Sequence, residues 1–130
     1  MKKILYLPFI AFILSSCSYT VYNMNRGLLQ KPKKDSYQVE YVTEVPVGTT
    51  AKITYMGPNN KFIEEKYTGT LNKLYTMPGD KELTFTVDVK LPQTTPQSKL
   101  HTYVKVDGET ITDQTQTGKK VHFSFKFKLP

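Results

Sequence analysis

The sequence from residue 37 to residue 130 predicts an all-β fold, a small antiparallel β-sandwich of about seven strands. Three observations predict it. Apolar and polar residues alternate with period two through most of this stretch, turn-forming residues separate the alternating runs, and no apolar stripe recurs every 3.6 residues as a helix would need. The chain is 38% hydrophobic and 22% charged with no long low-complexity tract, a composition that folds as one domain.

The elements follow in order. In "YQVEYVTEV", Tyr37, Val39, Tyr41 and Val45 share one face while Gln38, Glu40 and Glu44 take the other, the pattern of a half-buried strand. "TAKITYM" repeats it with Ala51, Ile53 and Tyr55. The turn residues Gly57, Pro58, Asn59 and Asn60 then fold the chain into a hairpin with residues 61 to 67. Met77, Pro78, Gly79 and Asp80 supply the turn before "KELTFTVDVKL", where Leu83, Phe85, Val87, Val89 and Leu91 are each separated by a polar residue. Pro92 and Pro96 bracket "PQTTPQSK", residues 92 to 99, which cannot continue a hydrogen-bonded ladder and is expected as an exposed loop. "LHTYVKV" and "ETITDQT" flank Asp107 and Gly108, a pair that suits the type I′ turn of a two-residue hairpin. In the final "VHFSFKFKL", Val121, Phe123, Phe125, Phe127 and Leu129 point inward, and His122, Ser124, Lys126 and Lys128 point outward.

The amino terminus has a different grammar. Residues 1 to 16 open with Lys2 and Lys3, continue as an apolar run from Ile4 to Leu14, and end in two serines, the three regions of a secretory signal peptide. The run is about half the roughly 20 residues that a membrane-spanning helix requires. Leu14, Ser15, Ser16 and Cys17 resemble the lipobox of bacterial lipoproteins. That resemblance implies that the Cys17 sulfur receives a diacylglyceryl group, that the signal is cut before it, and that the new amine is acylated, anchoring the chain in membrane lipid. The alternative is an incidental cysteine in an uncleaved anchor or an ordinary signal peptide. Ser18, in place of an aspartate, is compatible with transfer to an outer membrane in a cell that has one. Cys17 is the only cysteine, so no intramolecular disulfide forms, and an acylated sulfur is neither nucleophile nor metal ligand. Cleavage removes two lysines and leaves 16 basic against 11 acidic residues, a formal charge of +5.

Residues 17 to 36 read as the lipidated cysteine and a flexible tether, with Asn, Gly, Pro and the cluster Lys31, Lys33 and Lys34. As a random coil it would span about 24 Å, enough to lift the domain off the head groups. Its apolar residues Tyr19, Val21, Tyr22, Leu28 and Leu29 leave open a second arrangement, docking as an extra edge strand or short helix.

The residues that carry chemistry are few. His101 and His122 fall on outward strand positions with no HxH, HxxxH or nearby cysteine, so no metal is expected. The acidic pairs Glu64 with Glu65, Glu40 with Glu44, and Asp107 with Glu109 are explained by solvated strand faces and turns. No nucleophile motif or glycine-rich phosphate loop is present, and the protein is expected not to be an enzyme. No cofactor is expected beyond the covalent diacylglyceryl and N-acyl groups on Cys17. Lys119, Lys120, Lys126 and Lys128 form a basic edge that suits anionic lipid, polysaccharide or a protein partner, and that serves equally as a solubilising guard against edge aggregation. Nucleic acid is not an expected partner of an exported chain without an aromatic and basic reader pattern.

Across residues 37 to 125, Val39, Tyr41, Ala51, Ile53, Thr54, Tyr55, Val106, Asp107 and Gly108 resemble the extracytoplasmic domain of the MmpS-type (mycobacterial membrane protein, small) family. The resemblance implies a small β-sandwich that accompanies large export transporters. This chain departs from that family in having a lipobox where the family has an uncleaved membrane helix. In architecture alone it also resembles immunoglobulin-like and transthyretin-like sandwiches, the latter found in lipoproteins that serve as docking pieces of secretion machines. The expected function is a non-catalytic, lipid-anchored extracytoplasmic binding protein, an accessory or docking component of an envelope assembly. The alternative is a lipid- or glycan-binding envelope module that uses an inter-sheet cavity or the loop 92–99.

Overall fold

The computed structural model describes residues 19–92 and 98–130. Among them are nine strands: β1 (Tyr19–Leu28), β2 (Ser36–Glu44), β3 (Thr50–Met56), β4 (Phe62–Thr68), β5 (Leu71–Pro78), β6 (Glu82–Lys90), β7 (Lys99–Val106), β8 (Glu109–Thr117) and β9 (Lys120–Lys128). They form a β-sandwich of a five-stranded sheet, in the order β1-β9-β6-β3-β4, and a four-stranded sheet, in the order β5-β2-β7-β8. The fold class read from alternation is the one observed, with two strands more than the seven expected.

The first extra strand is β5. Leu71, Tyr75 and Met77 keep the inward phase, but Lys73 also occupies it, and Leu74 points to solvent. Lys73 is tolerated because β5 lies at a sheet edge, where its ammonium reaches Glu65 of β4 at 3.7 Å across the mouth of the sandwich.

The second is β1, which corrects the tether. Residues 19–28 pair in parallel with β9, Tyr19 opposite Lys120 and Met24 opposite Phe125, so the sheets are not wholly antiparallel. The pairing is favourable because Tyr22 turns inward and stacks on Phe123, with ring centroids 5.1 Å apart. The chain beyond β1 is also fixed. Leu29 is buried and donates its N–H to the Lys128 carbonyl, and the Tyr37 hydroxyl donates to the Pro32 carbonyl and accepts from the Lys34 N–H, each at 2.8 Å.

The inner faces meet in a continuous apolar layer. Tyr41 from the four-stranded sheet packs on Tyr55 and Phe85 from the other, at 5.3 and 5.0 Å between centroids, and Phe85 meets Phe123 edge-on at 6.2 Å. These four rings are all less than 2% exposed. The tyrosines keep their polar ends satisfied: Tyr41 donates to the Met56 carbonyl, and the hydroxyls of Tyr55 and Tyr75 share a bond of 3.2 Å. Burial raises the pKa of both Tyr41 and Tyr55 far above the ordinary phenol value, so both remain neutral.

Turn chemistry fixes the hairpins. Asp107 and Gly108 both adopt positive φ, 51° and 80°, the two left-handed positions of a type I′ turn. Asn60, in the turn after β3, likewise has φ of 58°.

Candidate functional site

Two surface features stand out, and strand order builds both. The first is a groove between β1 and β8, the edge strands that close the same side of the two sheets. Its walls include Tyr22, Met24 and Arg26 of β1 and Ile111 to Gln114 of β8, with Phe125 beneath, enclosing about 470 Å³. At its ends, side chains of β1 reach outward carbonyls of β8: Thr20 Oγ1 donates to Thr117 at 2.6 Å, and Arg26 Nη1 donates to Ile111 at 3.3 Å. Among the described residues, four of the eight exposed large hydrophobic ones, Tyr19, Val21, Met24 and Leu28, fall on β1, so exposed apolar surface is concentrated on this edge. The opposing edge β8, ETITDQTQT, is polar. β8 thus follows the usual protection of edge strands and β1 departs from it.

The second feature is a concavity of about 700 Å³ on the outer face of the five-stranded sheet, lined by Lys52, Lys66, Lys90 and Lys120, with Tyr19 and Asp88. Each lysine comes from a different strand, β3, β4, β6 and β9, and each occupies the outward phase. Register brings them together: Lys52 lies opposite both Lys66 and Asp88, and Lys90 opposite Lys120. Lys52 pairs with Glu64 at 3.1 Å, and Asp88 is held by His122 Nδ1. Among the described residues, Lys66, Lys90 and Lys120 have no ion-pair partner.

This arrangement corrects the basic edge expected from Lys119, Lys120, Lys126 and Lys128. The strand that carries them is not an edge, because β1 covers it. Lys120 joins the concavity, whereas Lys126 and Lys128 lie about 20 Å further along the strand, opposite Thr84 and Glu82. Lys119 sits in the β8–β9 turn, where its carbonyl accepts the Leu91 N–H.

The histidines do not meet. His101 lies on the outer face of the four-stranded sheet, its Nε2 2.6 Å from Asp113 and its Nδ1 3.4 Å from Glu44, so carboxylates occupy both ring nitrogens. His122 lies on the outer face of the other sheet, paired with Asp88, and the nearby Ser124 hydroxyl bonds to Thr86. Among the described residues no group of three or more His, Cys, Asp or Glu side chains could hold a metal ion, and no helix is long and apolar enough to cross a membrane. Around His101 the surface is acidic, and burial, followed by Glu44, Glu40 and Asp113, raises the pKa of the Tyr103 hydroxyl.

Leu14, Ser15, Ser16 and Cys17 lie outside the described residues, as do residues 93–97 of the 92–99 loop. The space between the sheets, the other expected ligand site, is filled by the ring cluster and its aliphatic neighbours. Neither a protein-family model nor a curated protein matches the chain, so the groove and the lysine concavity are what its function must be argued from.

Proposed function

We propose that this protein is a lipid-anchored, extracytoplasmic, non-catalytic binding protein, tied to the cell envelope through acylated Cys17, and that it acts as a docking or accessory component of an envelope transport or secretion assembly. The observation that carries the reading is the exposed apolar edge of β1, beside a groove open along the β1–β8 flank, while the centre of the inter-sheet space is filled. A ligand-capturing sandwich needs room between its sheets, whereas a docking sandwich needs an accessible edge. An extended segment of a partner would add to the free side of β1 through main-chain hydrogen bonds, with apolar side chains packing on Met24 and Ile111.

A photo-crosslinking residue at Met24, read in intact cells, is expected to capture an envelope protein, while the same probe at Leu74, on the opposite sheet, captures none. Copurified lipid with no protein adduct would favour the ligand-binding alternative. For the anchor, mass spectrometry is expected to find diacylglyceryl-modified Cys17 at the mature terminus, and Cys17→Ala to block processing. An unmodified thiol on a membrane-bound chain would defeat that part of the reading.

A further inference from the structure

We propose that the lysine concavity of the five-stranded sheet is a docking face for the anionic head groups of the membrane that holds the protein. The inference rests on the Cys17 anchor proposed above. Its starting point is the missing spacer: ordered strand begins at Tyr19, two residues after Cys17, and two residues span at most about 7 Å. An acylated Cys17 therefore holds the start of β1 at the lipid surface, and Tyr19 is itself part of the concavity's rim.

The charge at this end of the sandwich fits a phosphate-rich surface. Four ammonium groups converge there, three of them without an acidic partner among the described residues, and the one carboxylate in the lining, Asp88, is engaged by His122. At the opposite end Lys31 pairs with Glu109, Lys33 with Asp80, and Lys34 with Asp107, while Lys126 and Lys128 on β9 have no ion-pair partner among the described residues. What distinguishes the anchor-proximal end is that four lysines from four strands line one concavity. Lysines on rotatable stems act as point charges and suit a fluid array of phosphates better than one ligand of fixed shape.

An apolar residue stands beside the charge. Val47, in the β2–β3 connection three residues before the concavity's Thr50, is fully exposed, with no described residue covering it. At a membrane surface it would enter the head-group layer while the lysines contact phosphates, the division of labour of interfacial binding. A basic residue near an anionic leaflet contributes about fivefold in partitioning, so losing the four lysines lowers the ratio of docked to undocked domain by roughly a hundredfold or more.

The test uses the full chain carrying Val47→Cys, labelled with an environment-sensitive thiol fluorophore and reconstituted into phosphatidylcholine vesicles with and without about 30% phosphatidylglycerol. One label per chain is expected, because Cys17 is acylated. The expected result is a blue shift in anionic vesicles only, reversed by high salt. It is lost when Lys52, Lys66, Lys90 and Lys120 are all changed to alanine, and absent for a label at Phe62→Cys on the distal end. The melting temperature of the four-lysine variant reports that the domain is intact. One label with no lipid-dependent shift, or a shift that survives loss of the lysines in a folded variant, overturns the docking face and leaves the anchor standing. Two labels per chain overturn the anchor and this inference with it.

Discussion

Asp107 offers a stringent test of how the β7–β8 turn is held, because one side chain does three separable things. Its backbone is left-handed at φ 51°, a conformation that aspartate, asparagine and glycine tolerate and alanine does not, at a cost of about 1 kcal/mol. Its Oδ1 accepts the Gln38 N–H at 2.8 Å, a bond to a charged acceptor whose loss costs about 1 kcal/mol at this partly solvated site. Its Oδ2 meets Lys34 at 2.8 Å, with half the lysine exposed, a contribution of a few tenths of a kcal/mol, about 0.5. Asp107→Ala therefore destabilises by about 2.5 kcal/mol, whereas Asp107→Asn, which keeps the turn and an acceptor oxygen, loses about 0.5 kcal/mol. Urea unfolding followed by circular dichroism measures both. The Gln38 N–H, and after it Lys34, hold the carboxyl pKa below its ordinary value. The extra stability of wild type over Asp107→Asn is thus complete above about pH 4 and disappears as pH falls through the lower folded-state pKa. Equal destabilisation by Ala and Asn, or a gap that widens in acid, would refute the reasoning.

Other perturbations test the remainder of the framework. A Cβ on Gly79 would lie 2.8 Å from the Lys34 carbonyl oxygen and 2.9 Å from that of Pro130, both backbone, so Gly79→Ala should cost about 1–3 kcal/mol in thermal or urea unfolding. Phe85→Ala removes a fully buried ring between Tyr41 and Phe123 and should cost about 3–5 kcal/mol, near the whole stability of a small domain. Lys73→Met leaves Glu65, one of whose oxygens is already buried and unbonded, without its cation, at a cost of about 1 kcal/mol. Replacing Glu65 and Lys73 together by leucine should recover most of that loss, read from the same unfolding curves.

Alternation made the core strands legible because each buries one face only. Leu83 to Leu91 and Val121 to Leu129 are buried at every inward position, and the Asp107–Gly108 turn has the geometry its residues require. Alternation was weaker where a strand lies at an edge. Lys73 stands in the inward phase of β5 because the edge gives its ammonium a route to Glu65, and β1 exposes Tyr19 and Val21 while burying its aromatic contact at Tyr22. The lysines of the concavity were each readable as outward residues, yet they are separated by up to 68 positions, Lys52 to Lys120. Only the strand order β9-β6-β3-β4 makes them neighbours, and no local pattern encodes that order. The basic edge failed for the same reason, since a partner for β9 more than 90 residues upstream leaves no trace in the composition of β9 itself.

The pairing of β1 with β9 also sets a schedule. Tyr19 bonds into the sheet beside Lys120, so during synthesis from the amino terminus the first strand has nowhere to go until the last has emerged. Such distant partners close slowly, because the intervening loop must be ordered before the contact rewards it. Strand β1 is consequently taken up by the sandwich as its final seam, after β9 is available to receive it.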